Sequence, residues 1–334
     1  MNEIETAKEK ETIMKQHTMT VVTQHEFGAP DVLVIEDRPV PEPLPTEIRV
    51  RVAAAGVNPV DWKTRAGDGI AGLLGAPPIV LGWDVAGVVD AVGFGVTRFA
   101  VGDEVYGMPW FPREAGAYAE YVTAPSRHFA HRPLTISAEE AAALPMAALT
   151  AWQALVDTAD IKPGQRVLVH AAAGGVGHLA AQIAKTRGAH VLGTARASKH
   201  QTLRELGVDE PIDYTDAPFE EVAREVDVVL DLVGGDYSTR SLATLRYGGL
   251  LIAVPAGASA DLTAEATAQD RGLRVTGILV EPDYAALEQI GALVEAGRLR
   301  VILDRALPLE EVAKAHEIGE NGRNLGKTVL TIEG

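Results

Sequence analysis

The chain has 334 residues, no cysteine and a net charge of −16, with 47% hydrophobic and 23% charged residues. A surface of that sign repels nucleic acid and anionic membranes. Without cysteine there are no disulfides, thiolate nucleophiles or cysteine-ligated zinc, and no apolar run approaches the roughly 20 residues of a membrane span.

The length points to two domains, and the composition to a cytoplasmic protein. Residues 1–19 are charged and lack an apolar core, so they read as a flexible leader and not as a secretory signal. Residues 20–145 read as a β-rich, barrel-like domain. "TVVTQHEF", "VLVIEDRPV" and "EIRVRVAAAGV" are strand runs, and "PVPEPLPTE" is a proline-studded connection. "DVAGVVDAVG", "GDEVYGM" and "GAYAEYVTAP" add short strands between Gly- and Asp-rich turns. At Ser137 the pattern changes. Ser137 with Glu140 three residues on is a capping box, and it opens a helical run to Leu155. "VDTADIKPGQ" then reads as a turn.

From Arg166 strands and helices alternate. "RVLVHA", "AHVLGTA", "EPIDY", "DVVLDLVG" and "LLIAVPAG" are the strands. "GVGHLAAQIAKTRG", "SKHQTLRELG", "PFEEVAREV" and "YSTRSLATLRYGG" are the helices. Apolar strands alternating with helices mean a parallel sheet covered on both faces. Residues 146–285 therefore read as a doubly wound α/β domain. The last part, residues 286–334, holds two amphipathic helices and the strand "GKTVLTI", which is expected to return to the first domain.

The loop "AAAGGVG" follows an apolar strand and heads a helix. The dinucleotide fingerprint G-x-G-x-x-G places its glycines at Ala172, Gly174 and Gly177. Gly174 lets backbone approach a pyrophosphate, and Gly177 lets helix and strand pack closely. Together with Gly175 and Val176 they offer N–H groups at a helix N-terminus. Ala172 replaces the first glycine at no cost if its φ stays negative. A glycine-rich turn kept for packing alone would look the same, but the open parallel sheet around it favours a dinucleotide. About 20 residues on, where an acid would hold the ribose of NAD, stands Thr194, followed by Arg196, Ser198 and Lys199. Cations and hydroxyls without an acid suit a 2′-phosphate, so the cofactor is read as NADPH.

The motifs "GVNPVD", "PPIVLGWDVAGVV", "GAYAEYV", "AALPMAALTAWQAL", "AAAGGVG" and "GKTVL" together resemble the zinc-free quinone oxidoreductase branch of the medium-chain dehydrogenase/reductase superfamily, which includes zeta-crystallin-like proteins and alkenal or enone reductases. The resemblance implies a GroES-like catalytic domain built from both termini and a Rossmann domain inserted in it. It also implies hydride transfer to a quinone or an activated C=C, and a homodimer. Pro59 stands near the place of a zinc-ligating cysteine and Trp83-Asp84 in the place of a His-Glu pair, so no metal is expected. By the same resemblance Asn58 and Lys63 line the cleft near the nicotinamide and are the candidate catalytic residues. Lys63, where zeta-crystallin-type enzymes often have Tyr, leans toward enone or alkenal reduction. Thr150 stands near the nicotinamide, and Ile278 and Leu279 supply backbone to its carboxamide. Lys199 and Tyr214 take the ribose phosphate, and Gly326 with Lys327 make a C-terminal cofactor contact. The expected substrate is a small quinone, enone or aldehyde. An enoyl-thioester reductase, or a non-catalytic NADPH-binding protein of the same fold, are the alternatives.

Overall fold

The computed structural model describes residues 18–254 and 260–333. The expected leader lies outside them apart from Thr18 and Met19, which already belong to the first strand, β1 (Thr18–Gln24). β1 runs antiparallel between β2 (Leu33–Pro39) and the short β4 (Ile79–Val80). The larger sheet of this half is organised by β3 (Glu47–Val57). β3 pairs on one side with β5 (Asp84–Val92), which passes on to β6 (Glu104–Gly107) and β8 (Phe129–His131).

The other side of β3 is shared. β7 (Tyr121–Pro125) covers Glu47 to Arg51, and a strand from the far end of the chain covers Ala54 to Val57. That strand is β16 (Lys327–Thr331), backed by β15 (Leu303–Pro308). The C-terminal strand therefore completes the edge that β7 leaves open. β3 is also almost wholly buried along its length, as a strand covered on both faces is, whereas one with a solvated face alternates.

The second half is a six-stranded sheet, parallel throughout. β9 (Arg166–Val169) is followed outward on one side by β10 (His190–Thr194) and β11 (Glu210–Ile212). On the other side come β12 (Val226–Asp231), β13 (Leu245–Ala253) and β14 (Arg274–Gly277). Numbered from β9, this is the order 3-2-1-4-5-6, the doubly wound arrangement expected of the alternating pattern.

Two segments differ from the sequence reading. "YSTRSLATLRYGG" is helical only over Asp236–Ser241 and one 3₁₀ turn, Leu242–Thr244, after which β13 begins. Leu245 pairs with Val226, but the next pair is Leu250 with Val228. The intervening residues bulge around Gly248, whose φ is +72°, so the glycine pair lies inside a strand and not beyond a helix. The turn read in "VDTADIKPGQ" begins late. Pro145 starts the helix Pro145–Trp152, and the chain then widens into a π-helical segment, Gln153–Thr158, a spacing that a 3.6-residue period does not reveal. The capping box does form, with Ser137 Oγ accepting the Glu140 N–H and Glu140 accepting that of Ser137.

Gly326, just before β16, sits at φ +80°, and a Cβ there would lie 2.1 Å from the Ile302 carbonyl oxygen. Gly102 has a similar φ of +99° with open space around it. Gly102→Ala is therefore expected to cost only the left-handed backbone term of about 1–2 kcal/mol. Gly326→Ala adds a backbone collision and should cost at least about 2 kcal/mol more; urea denaturation of the two variants measures the difference.

Candidate functional site

The strand order reverses at β9 and β12, and ligands of open α/β sheets bind in the crevice beyond the carboxyl ends at such a reversal. Here β9 leads into residues 170–176 and the helix Gly177–Thr186. Ala171 takes the left-handed conformation, φ +48°, and its carbonyl accepts the Gly174 N–H at 2.8 Å. Ala172 keeps out of that region and is fully buried. The tight turn thus falls one residue before the fingerprint's first glycine, which is why an alanine serves there. A Cβ on Gly177 would meet Ala171 O at 2.3 Å, so this glycine sets the strand–helix packing. Among the described residues no acceptor meets the N–H groups of Gly175, Val176 and Gly177. At the N-terminus of a ten-residue helix they form a cradle for an anion.

Two buried side chains brace this loop. His178 Nδ1 donates to Gly174 O at 2.9 Å, and its Nε2 accepts the Ile302 N–H at 3.1 Å. Burial holds its pKa down to about 4, which matches a neutral ring with one donor and one acceptor. Thr194 is 1% exposed, and its Oγ1 accepts the Ala171 N–H and faces His170 Nδ1 at 3.2 Å. Its hydroxyl therefore shapes the loop from behind and does not face the crevice.

At the end of β10, Arg196 is exposed and donates from Nε to the Tyr214 hydroxyl at 3.3 Å, and Ser198 is exposed beside it. Lys199 Nζ donates to Arg323 O at 3.1 Å and Asn324 O at 2.7 Å, tying this corner to the turn that precedes Gly326. Partial burial lowers the Lys199 pKa. One acid in this corner escaped the sequence reading. Asp213, at the end of β11, accepts the Ala197 N–H at 2.9 Å and the N–H and hydroxyl of Thr215. It stands next to Tyr214 in "IDY", one strand beyond the window in which an acid was sought.

The other wall is built around Lys327. Its ammonium, 3% exposed, donates to Val57 O at 3.1 Å and to Asn58 Oδ1, and lies 3.6 Å from Asp84 Oδ2. Asn58 Nδ2 donates to Asp84 Oδ2 at 2.8 Å, and Asp84 Oδ1 accepts the Met146 N–H at 2.7 Å. Burial pushes the Asp84 carboxyl up and the Lys327 ammonium down, each opposed by the other's charge. Gly326 N–H reaches Ala173 O at 3.0 Å, and Lys327 Cδ lies 3.1 Å from where a Cβ on Gly175 would be. Asn58, Gly326 and Lys327 are thus brought to the glycine loop, but the charge of Lys327 and the amide of Asn58 are engaged with protein. Thr150 is buried one turn after Met146 and donates to its carbonyl at 2.7 Å. Lys63 is exposed on the helix Pro59–Arg65, and its ammonium has no protein partner among the described residues. Ile278 and Leu279 follow the last residue of β14, and Leu279 is 57% exposed.

Behind Asn58 runs a buried polar chain. Asp61 Oδ2 accepts the Asn58 N–H at 2.5 Å, and burial pushes its pKa up to about 7. Arg65 joins Glu320 at 2.6 Å and donates to His316 Nδ1 at 3.2 Å. An arginine only donates, so the His316 proton is on Nε2, which faces the Tyr118 hydroxyl at 3.4 Å. The Tyr118 proton is then left for Asp61, whose charged form it favours. Trp83 is buried and spends its indole N–H on Arg113 O at 2.7 Å. Among the described residues, no three His, Cys, Asp or Glu side chains stand together as a metal site. No helix there is long and apolar enough to cross a membrane.

Residues 44–134 match the family described as "Alcohol dehydrogenase GroES-like domain", and residues 206–330 match "Zinc-binding dehydrogenase". The 2-haloacrylate reductase of a Burkholderia species is 34% identical over 326 residues, 92% of this chain and 97% of that protein. The structure of the quinone oxidoreductase from Coxiella burnetii superposes with a TM-score of 0.90 at 37% identity, over 95% of this chain and all of that one. Escherichia coli quinone oxidoreductase complexed with NADPH gives 0.83 at 30% identity, over 93% and 99%.

Removing the Lys327 charge strands a buried carboxylate. Lys327→Met is expected to cost about 3–5 kcal/mol, with Asp84→Asn in the same chain restoring a large part; a double-mutant cycle in urea measures this. Stability is also expected to fall with acid. His170, His178 and His316 stay neutral down to about 4, 4 and 3 when folded, against an ordinary 6.5, so the unfolded chain binds more protons below pH 6.5. Asp61 acts oppositely, its carboxyl being held neutral up to about 7. Three groups against one leave a net of two protons, so stability rises with pH from about 4 to 6.5, and His316→Gln should flatten that rise by roughly a half. Denaturation at stepped pH values reads both.

Proposed function

Because the chain belongs to the quinone oxidoreductase-like branch of the medium-chain dehydrogenase/reductase superfamily, a family of pyridine-nucleotide-dependent oxidoreductases, we propose that it reduces a quinone or an activated C=C of an enone or alkenal with NADPH, without zinc. The observation that carries the cofactor's place is the cradle of free N–H groups at Gly175, Val176 and Gly177. Arg196, Ser198, Lys199 and Tyr214 at the end of β10 and β11 supply the cations and hydroxyls for a 2′-phosphate. Asp213 at that corner spends its carboxylate on the Ala197 N–H and on the N–H and hydroxyl of Thr215.

Bound there, the reduced nicotinamide supplies a hydride. Thr150, Ile278 and Leu279 flank its ring in this reading, and Gly326 and Lys327 support it from the side of the glycine loop. When hydride adds to the β-carbon of an enone, the π pair moves to the carbonyl oxygen, and a proton then adds to the α-carbon. The oxygen's developing charge needs a donor. Asn58 has spent one amide proton on Asp84 and its oxygen on Lys327, so only its second N–H is left for this. The free ammonium of Lys63 is the stronger donor. Much of the rate comes from holding two reactants in a cleft poor in water, and water serves as proton source. In this reading the enzyme works as a homodimer in the cytoplasm. Among the described residues no strand pairs with the outer side of edge strand β14, and Tyr247, 71% exposed, stands on its neighbour β13, which favours a contact between two such edges.

The test is NADPH and NADH consumption over a panel of quinones, enones, alkenals and enoyl thioesters, with and without chelator. NADPH turnover indifferent to chelator is expected on at least one of the first three. Tight NADPH binding without turnover on any of them would overturn the enzyme reading. Lys199→Ala and Arg196→Ala should each raise KM for NADPH about tenfold more than for NADH, the worth of one charge-assisted bond. Equal effects on both cofactors would remove the 2′-phosphate assignment.

A further inference from the structure

We infer that Gln153 is a positioning residue for the nicotinamide, acting through the backbone of Ile278 and Leu279; the inference rests on the reading above that this backbone meets the carboxamide. Gln153 is the first residue of the π-helical segment, three residues after Thr150 and so on the same helix face. Its Nε2 donates to Glu281 O at 2.8 Å, and its Oε1 accepts the Glu281 N–H at 3.0 Å. One side-chain amide thus clasps both polar groups of a single backbone unit, as a partner strand would.

The clasp lies where the segment needs it. On one side Gly277, the last residue of β14, pairs with Ala253. On the other, Asp283 caps the helix Tyr284–Glu295 through the Ala285 and Ala286 N–H groups. The Tyr284 ring lies 4.0 Å from the Arg98 guanidinium, and its hydroxyl accepts from Arg127 at 3.1 Å. Both flanks are fixed, so Ile278, Leu279 and Val280 hang between a strand pair and the Gln153 clasp. Val280 belongs to the core and Ile278 packs partly buried against it, but Leu279 projects into solvent, so packing leaves the backbone polar groups of the segment's far end to the clasp. The clasp adds to this packing a pair of directional hydrogen bonds to the residue that follows the helix carrying Thr150. A π-helical turn at this point sets where Gln153 leaves that helix, and such turns recur at functional sites.

The experiment compares Gln153→Met, similar in size and unable to form either bond, and Gln153→Ala with the unaltered protein. Each is titrated with NADPH, with NADH, and with the NADPH analogue whose carboxamide is replaced by an acetyl group, which lacks the amide N–H donors. Both variants are expected to weaken NADPH and NADH alike, by about three- to tenfold for two exposed hydrogen bonds, and to lower kcat. Binding of the acetyl analogue should change less than about twofold, because the interaction that Gln153 positions is already missing. A role confined to the fold would weaken all three equally, and that result overturns the inference, as does unchanged NADPH binding. A fall in Tm of more than about 5 °C in both variants also overturns it, since Gln153 would then be holding the structure and not the ligand. If the unaltered protein binds NADPH and the analogue equally, the carboxamide contact itself is absent. The reading beneath the inference then fails, and the inference with it.

Discussion

The placement of the two halves depends on one buried cation. Lys327 donates to the last carbonyl of β3 and the side chain of Asn58, and faces Asp84 at the start of β5. Its neighbour Gly326 bonds to the glycine loop at the end of β9. Three segments far apart in sequence therefore meet at two adjacent residues of a fourth. Burying a charge pair costs free energy unless its remaining polar groups are satisfied. Here Asp84 also accepts the Asn58 amide and the Met146 N–H, the latter in the first turn of the helix that leads to Thr150. These hydrogen bonds and the ions' mutual attraction offset the desolvation, and the knot fixes the cleft on both sides.

This has a consequence for how labour is divided in the site. Groups deep in the wall hydrogen-bond mostly to one another and hold position: Asn58, Asp61, Asp84, Thr194 and Lys327 all have internal partners. The groups left to touch a ligand are exposed or only half bonded, such as Lys63, Arg196, Ser198 and the N–H groups of the glycine loop. Burial decides which is which, because a buried donor without a partner is too costly to keep idle. The neutral histidines follow the same logic, each ring using one nitrogen to donate and the other to accept.

The sheet of the second half was legible because its strands are apolar runs separated by helices of ordinary period. The glycine loop was legible in place, but the reason that Ala172 serves there was not, since it lies in the φ of Ala171. The crossing of β16 to β3 was expected from the resemblance; no local pattern in "GKTVL" carries it. The sequence reading counted Lys327 and Thr194 among groups that face the cofactor. Residue type and order look the same whether a lysine ends in solvent or against a carboxylate from 243 positions earlier. Asp213 and Gln153 were passed over for a related reason. Their partners are backbone groups brought close by turns and a π-helical segment, and neither has a periodic signature.

The late position of β16 also bears on how the protein is made. The doubly wound sheet is contiguous from β9 to β14 and has all its strands once Gly277 has emerged. The first half has no such independence. Asp84 and Asn58 leave the ribosome early, but the cation that neutralises their pocket, and the strand that covers Ala54 to Val57, come only after that whole sheet has been synthesised. During synthesis the N-terminal half therefore carries an open strand edge and an unmatched acid, and a chaperone has most reason to attend to it there.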